Sequence, residues 1–289
     1  MIRTLYVGQQ VQIVTGPVDT KITGYLPVSS ASCEVSRPVE AVNAFGHLGS
    51  LALAQTNLTT CKSSIKSYLS SGIANVTVSG VSGVCPGLIQ SLTGDAVAGR
   101  YTVIAVTPNG FTMSGLITSL GIDMSLGGFG TMDMSFNGIG QPLFPSLSSN
   151  ATTEQANMPS SLTPVTTVGA SGAILSGCAN SFKFSLDMPT DILACLGDAV
   201  DAAQSPSMAS LMATKPPYKA TITVEGFGVD IGSSNTGIPP ANTKYSLGGL
   251  AISLPNAVLT SKSFNNAVGN ANASYNYTLE DSTANFSAA

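Results

Sequence analysis

The chain has 289 residues, and only 9% of them are charged, against roughly a quarter in an average soluble protein. Its 43% of hydrophobic residues is ordinary, so Ser, Thr, Asn and Gly replace the missing charges. The net charge is −4 and no basic cluster occurs, which argues against tight binding to nucleic-acid phosphates. Such a composition suits a subunit that is buried against other subunits, or a secreted Ser/Thr-rich β protein.

Export and membrane signals are not found in the sequence. The N-terminal stretch MIRTLYVGQQVQIV has no basic segment followed by an apolar run, so no signal peptide is predicted. No stretch approaches the ~20 apolar residues of a membrane span, and we expect no membrane insertion. The cysteines are odd in number and lack C-x-x-C spacing, so we expect them to be reduced in a protein made in the cytoplasm: Cys33, Cys61, Cys85, Cys178 and Cys195.

The first half of the chain predicts strands with a few short helices. A strand leads into S-R-P-V-E at residues 36–40, and residues 42–49 predict a short helix. Residues 59–69 predict a strand, and residues 87–93 predict a second short helix after a proline. Residues 121–138 alternate between apolar and polar side chains around a Gly-Gly turn, which is typical of a β-hairpin.

The second half repeats this order after a Pro/Ser/Thr-rich stretch. Residues 191–196 predict a short helix, residues 218–226 a strand, and residues 275–280 a strand with alternating side chains. Three short matches link the halves, at offsets of 151 (Pro38 with Pro189), 147 and 143. This order indicates a duplication. We therefore predict two tandem antiparallel β-sandwich or β-barrel domains with short flanking helices: residues 1–140, an arm or linker at 141–164, and residues 165–289.

Catalytic chemistry is poorly represented in the chain. The single histidine, His47, lies beside glycines in a predicted turn, and no His/Asp/Glu cluster has metal-ligand spacing. Asp123 and Asp133 could form a carboxylate pair of glycosidase type. Both fall on the polar side of the predicted hairpin, so a solvated strand face is the better interpretation. We expect no enzymatic activity, no metal and no cofactor.

One segment resembles a known family. The sequence S-R-P-V-E-A-V-N-A-F-G-H-L-G, followed by a polar strand, is similar to the early part of the tail tube proteins of tailed phages. In that family a strand runs into an x-R-P-x-E/D stretch and then a Gly-containing turn. The matching residues are Glu34, Ser36, Arg37, Pro38, Glu40 and Gly46, repeated by Asp187, Pro189, Asp191 and Gly197. Met188 stands where the second copy would need an arginine.

The resemblance implies a structural protein of the virion tail that forms rings, which stack into a tube. Its partners would be other copies of itself and the tape-measure, tail terminator and baseplate or tip proteins, while DNA passes through the channel without specific binding. Two fused copies would allow a trimeric ring with pseudo-six-fold symmetry. The candidate channel-lining residues are Asp123, Asp133, Asn137, Asn276 and Glu280. The candidate inter-subunit residues are Arg37, Pro38, Glu40, Gly46, Asp187, Pro189 and Gly197.

Two alternative functions fit the same features of the sequence. Composition and duplication also fit another virion β-sandwich protein, such as a capsid decoration protein. A cell-surface adhesin or carbohydrate-binding module would explain the Ser/Thr/Asn-rich surface. Such a protein needs an export signal, which the sequence does not show, and usually has exposed aromatic residues, whereas tryptophan is absent from the chain.

Overall fold

The described residues of the chain form strands and turns without a helix, and all their strand pairings are antiparallel. The prediction of a mainly antiparallel β fold is confirmed. The computed structural model describes residues 9–15, 22–46, 48–69, 77–78, 81–82, 102–107, 111–142, 165–171, 178–192, 212–214, 219–227, 243–248, 250–265, 274–282 and 285–288.

Ten of the strands precede the predicted linker. They are β1 (Gln9–Thr15), β2 (Ile22–Ser36), β3 (Val39–Val42), β4 (Ala52–Gln55), β5 (Thr60–Tyr68), β6 (Thr77–Val78), β7 (Val81–Ser82), β8 (Thr102–Thr107), β9 (Thr112–Ser125) and β10 (Thr131–Ile139).

A further ten strands follow the predicted linker. They are β11 (Gly169–Ser171), β12 (Cys178–Asp187), β13 (Thr190–Ile192), β14 (Met212–Thr214), β15 (Lys219–Phe227), β16 (Thr243–Leu247), β17 (Leu250–Leu254), β18 (Val258–Asn265), β19 (Ser274–Asp281) and β20 (Asn285–Ala288).

One ten-stranded sheet spans both halves of the chain. Its order is β10-β5-β2-β1-β8-β9-β12-β15-β19-β18, and β9 also pairs with β10. The pairing of β9 with β10 closes six strands of the first half into a ring, while β9 also carries the sheet onward to β12. In the second half a separate sheet, in the order β11-β16-β17-β20, supplies side chains to the same core.

Strict alternation of side chains explains why these segments are strands. In β10 the side chains of Met132, Met134 and Phe136 are fully buried, and the residues between them are half-buried. The buried side chains of both halves form one continuous core, which includes residues of β10 and of β12. Within the second half, Phe182 of β12 packs on Tyr245 of β16 with ring centroids 5.2 Å apart. Each such large side chain contributes about 1.5–3 kcal/mol of burial free energy.

The predicted helix at residues 42–49 is replaced by a hairpin. β3 and β4 pair from Val39 opposite Gln55 to Val42 opposite Ala52, and the chain turns through Gly46, whose φ is +89°. Glycine adopts that left-handed conformation without steric cost, so the turn forms there and no helix continues. Of the other predicted helices, residues 87–93 lie outside the described residues, and residues 191–192 belong to strand β13.

The predicted hairpin at residues 121–138 is confirmed. β9 and β10 pair with Asp123 opposite Thr131 and Asp133 opposite Gly121, and Gly127 turns the chain with a φ of +77°. The predicted strand at 59–69 forms β5, and the one at 218–226 coincides with β15. Most of the predicted linker, residues 143–164, lies outside the described residues.

Candidate assembly surface: a repeated sheet with a polar face and two outer edges

Through the pairing of β9 with β10, eight strands of the main sheet form a continuous row. This row contains the same four-stranded arrangement twice. Unit A is β2-β5-β10-β9 and unit B is β12-β15-β19-β18, and β9 of unit A pairs with β12 of unit B. The strands correspond at fixed sequence offsets: 151 for β2 and β12, 159 for β5 and β15, 143 for β10 and β19, and 142 for β9 and β18. The offsets of 151 and 143 are those found in the sequence.

Two irregularities repeat at the same offsets as the strands. β2 carries a bulge at Ser29, and β12 carries one at Asn180, 151 residues later. β9 is bulged at Thr118, and β18 at Thr260, 142 residues later. Bulges are defined features of a strand pairing and fix its register. Their recurrence therefore shows that the two units share their pairing register as well as their strand order.

The polar face of this sheet collects all five predicted lining residues. We define it as the side opposite the core. Asp133 and Asn137 project from β10, Asp123 from β9, and Asn276 and Glu280 from β19, and all five are half-buried. The structure therefore brings these side chains onto one surface, although strands β12 and β15 separate the first three from the last two.

Lysines also lie on the polar face, beside these acids. The lining residues predicted from the sequence did not include the lysines. Lys66 lies 3.8 Å from the Asp133 carboxylate, Lys183 lies 3.4 Å from Asp123, and Lys219 lies 2.9 Å from Glu280. The pair of Lys183 with Asp123 bridges unit B and unit A. The alternation of Lys62 and Lys66 with buried Cys61 and Ile65 was the sequence signal that could have placed them there.

The charges on the polar face nearly balance in both units. In the described residues each unit carries three carboxylates and two lysines, which gives −1 per unit and −2 per chain. The residues are Glu34, Lys62, Lys66, Asp123 and Asp133 in unit A, and Lys183, Asp187, Lys219, Glu225 and Glu280 in unit B. The face is thus polar with a slight excess of negative charge.

The two outer strands of the eight, β2 and β18, leave apolar side chains exposed. In the described part of the chain, β18 pairs with β19 alone, and β1 covers only Ile22–Val28 of β2. Phe264 of β18 is 58% exposed and Val35 of β2 is 39% exposed. Cys33 of β2 is a free cysteine, half-buried, and this burial raises the pKa of its thiol. Edges of this kind favour pairing with another strand.

The predicted inter-subunit residues surround the ends of β2 and β12. Arg37 and Pro38 connect β2 to the exposed hairpin β3–β4, Glu40 lies on β3, and Gly46 forms the hairpin turn. Asp187 ends β12, where it lies opposite Ser119 of β9 and Lys219 of β15. Pro189 connects β12 to β13, and Gly197 and His47 lie outside the described residues.

The hairpin β3–β4 carries a further apolar surface. Six large hydrophobic side chains on or beside this hairpin are about half exposed or more: Val39, Val42, Phe45, Leu48, Leu51 and Leu53. The hairpin is held by strand pairing and by the Leu51 amide, which donates to the Val42 carbonyl at 2.8 Å. Exposed apolar groups in this number on one short element are typical of an interaction surface.

Comparison with family models and with the curated proteins places the chain in no known family. No protein-family model matches it, and none of the curated proteins is a significant match. Among the described residues, no three His, Cys, Asp or Glu side chains are grouped so that they could hold a metal ion. In the same part of the chain, no helix has the length and hydrophobicity needed to cross a membrane.

Proposed function

We propose that the chain is a virion structural protein that joins with copies of itself into stacked rings, which form the tail tube of a phage. The observation that carries this proposal is the repeated sheet. β9 of unit A pairs with β12 of unit B, which joins the two units. β18, the equivalent of β9 in unit B, is an outer strand of the sheet. A second chain can therefore extend the sheet by the same operation.

Repetition of one rotation leads to a closed ring. Head-to-tail contacts between identical units give rings when the rotation closes, and a sheet that closes on itself has no edges left. Three chains of eight strands would give 24 strands, which at the ~4.8 Å spacing of strands corresponds to a circumference of about 115 Å. Such a barrel is far wider than the barrels of about eight strands that side chains can fill, so its interior is open.

The polar face supports an inward orientation towards such a channel. Its side chains are hydroxyls, amides and paired charges, with an excess of one carboxylate per unit. A DNA that moves through the channel would meet few isolated lysines to bind it and a slight negative potential to repel its phosphates. Asp123, Asp133, Asn137, Asn276 and Glu280 are the proposed lining residues.

The proposal also places the protein in the virion tail, after synthesis in the cytoplasm of the host. Other copies of the chain are its main partners, and the tape-measure, terminator and tip proteins would meet the inside and the ends of the tube. The apolar hairpin β3–β4 lies at the end of the sheet where β2 finishes and β5 begins. It suits contact with the next ring, because stacking would bury its exposed side chains.

Negative-stain electron microscopy of the purified full-length protein at rising concentration tests the proposal. We expect rings or stacked tubes with an open centre. Val35→Asp should shift the protein towards single chains, because it puts a charge on the apolar side of the outer edge, and Ser32→Asp on the polar side of the same strand is the matched control. Isolated particles that never form rings would contradict the tube and favour a decoration protein.

A further inference from the structure

We infer that β18 of one chain pairs with residues 32–36 of β2 in a second copy of the chain, in the register that β9 and β12 already use within the chain. This inference rests on the proposed self-assembly and adds the segments and the residue pairs of the junction. The partner is a second copy because seven strand pairings separate the two edges within one chain, and β18 and β2 of the same chain do not pair with each other.

The junction inside the chain supplies the template. β9 and β12 pair antiparallel, with Ile122 opposite Phe184 and Leu120 opposite Leu186. All four side chains are buried, with Ile122 and Phe184 each 2% exposed. The contact between units A and B is therefore a packed apolar seam on the core side with a polar face on the other.

The repeat offsets transfer this register to the outer edges. β18 corresponds to β9 at an offset of 142, and β2 corresponds to β12 at 151. The pairs between chains follow when 142 is added to the β9 residues of the internal junction and 151 is subtracted from its β12 residues. They are Asn265 with Ser32, Phe264 with Cys33, Ser263 with Glu34, Lys262 with Val35, and Ser261 with Ser36.

The exposure of the edge residues agrees with this pairing. Phe264 and Cys33 are the equivalents of Ile122 and Phe184, yet Phe264 is 58% exposed and Cys33 is only half-buried. Val35, the equivalent of buried Leu186, is also exposed. These positions are apolar in both units, and they are buried only where a neighbouring unit is present, so a second copy would bury them in the same way.

One position of the junction carries a different kind of residue in the two units and is still compatible with the proposed pairing. Lys262 replaces the equivalent Leu120, and its ammonium lies 5.8 Å from the centre of the Tyr277 ring within the chain. Long lysine side chains cover apolar neighbours with their methylene groups while the charge stays near polar partners. In the junction between chains, the stem of Lys262 would cover Val35 of the neighbouring copy.

Cysteine cross-linking tests the register with the native thiol of Cys33. Phe264→Cys places a second thiol opposite it, within the reach of a disulfide between facing strand residues. After mild oxidation of the assembled protein, we expect loss of the single-chain band on non-reducing gels and a ladder of linked chains. Each chain then carries one thiol at each edge, so the ladder should end at the number of chains in the ring, three for the trimer.

Two matched variants make the result specific. Ser263→Cys puts the thiol one residue away, on the opposite face of β18, and should give little cross-linking to Cys33. Phe264→Cys combined with Cys33→Ser should give none above the unmodified protein. Rings that assemble without the Phe264→Cys cross-link, or that cross-link equally with Ser263→Cys, overturn the register and leave the proposed function standing. Failure of the unmodified chain to assemble overturns both.

Discussion

Thr118 and Thr260 are the extra residues of two bulges in different strands, and they make the same hydrogen bond. The Thr118 hydroxyl donates to the carbonyl oxygen of Ser135 at 3.3 Å, and the Thr260 hydroxyl donates to that of Thr278 at 3.2 Å. Ser135 and Thr278 are themselves equivalent at an offset of 143. The duplication thus extends to single hydrogen bonds. A chance similarity in strand order would not produce this agreement.

Removal of the bulge hydroxyl should weaken the fold modestly. We expect Thr118→Val to lower the free energy of unfolding by about 0.5–1.5 kcal/mol, the usual net contribution of one hydrogen bond. Urea unfolding followed by circular dichroism measures this change. Thr260→Val is the matched variant at the edge strand, where solvent can replace the lost partner, and it should cost less. A larger loss for Thr260→Val than for Thr118→Val would contradict this account of the bulges.

The two faces of β10 should differ strongly in their sensitivity to truncation. Phe136→Ala should lower the free energy of unfolding by about 3–5 kcal/mol, because the ring is fully buried and its removal leaves a cavity. Ser135→Ala, one residue away on the polar face, should change it by less than about 0.5 kcal/mol. Equal effects of both variants in denaturant unfolding would show that the alternation of β10 does not define the core.

Tyr245 should make the fold sensitive to alkaline pH. Burial raises the pKa of its phenol above the ordinary value, so the folded chain favours the neutral form more than the unfolded chain does. This contribution is complete below the unfolded pKa of ~10 and is lost as pH rises above it, because only the unfolded chain releases the proton readily. The urea midpoint of the unmodified chain should therefore fall between neutral pH and pH ~10.5.

Tyr245→Phe should remove part of that alkaline loss. The Tyr245 hydroxyl has no hydrogen-bond partner among the described residues, and the ring packs on Phe182. The phenylalanine variant should keep the packing and be at least as stable at neutral pH, since an unsatisfied buried hydroxyl costs about 1–3 kcal/mol. An unchanged dependence on alkaline pH in the variant would exclude Tyr245 as its source.

Charge reversal on the polar face should create DNA binding without loss of assembly. The combination of Asp133→Lys and Glu280→Lys leaves Lys66 and Lys219 without their acidic partners and adds two cations to the face. The ion pairs are about half exposed, so their loss should cost no more than about 1 kcal/mol each. Assembled particles of the variant should retain a short DNA duplex at low salt and release it at high salt.

The unmodified particles are the control for that experiment and should not retain the duplex. A second control, Asp133→Asn with Glu280→Gln, removes the acidic partners without adding cations and should bind the duplex much more weakly than the lysine variant. Equal retention of DNA by all three proteins would contradict the assignment of the polar face to the channel. Loss of rings in the lysine variant alone would place these residues in a subunit contact instead.

Sequence alternation predicted which side chains face the core, but it could not predict how the halves join. Met132, Met134 and Phe136 were assigned to the apolar side from spacing alone, because side chains alternate strictly along a strand. The pairing of β9 with β12 depends on contacts between segments about 60 residues apart, and local pattern does not encode such pairing. The sequence therefore predicted two tandem domains, and it did not predict the strand pairing by which the halves share one sheet and one core.

The sequence predicted the candidate site only in part, because local pattern does not encode which distant strands pair. Acidic and amide residues were selected because they alternate with apolar ones, and the structure places all of them on one face. Lys183 and Lys219 were passed over because their acidic partners, Asp123 and Glu280, come from other strands. The helix predicted at residues 42–49 failed because pairing of β3 with β4 and the left-handed turn at Gly46 outweigh local helix propensity.

The mass of the species that the purified chain forms across a wide concentration range tests the central claim most directly. Native mass spectrometry should find a closed assembly of a fixed number of chains, three if each chain supplies two of six units, together with multiples of that assembly. A protein that stays a single chain at every concentration, with its two outer strands still open, would contradict the account.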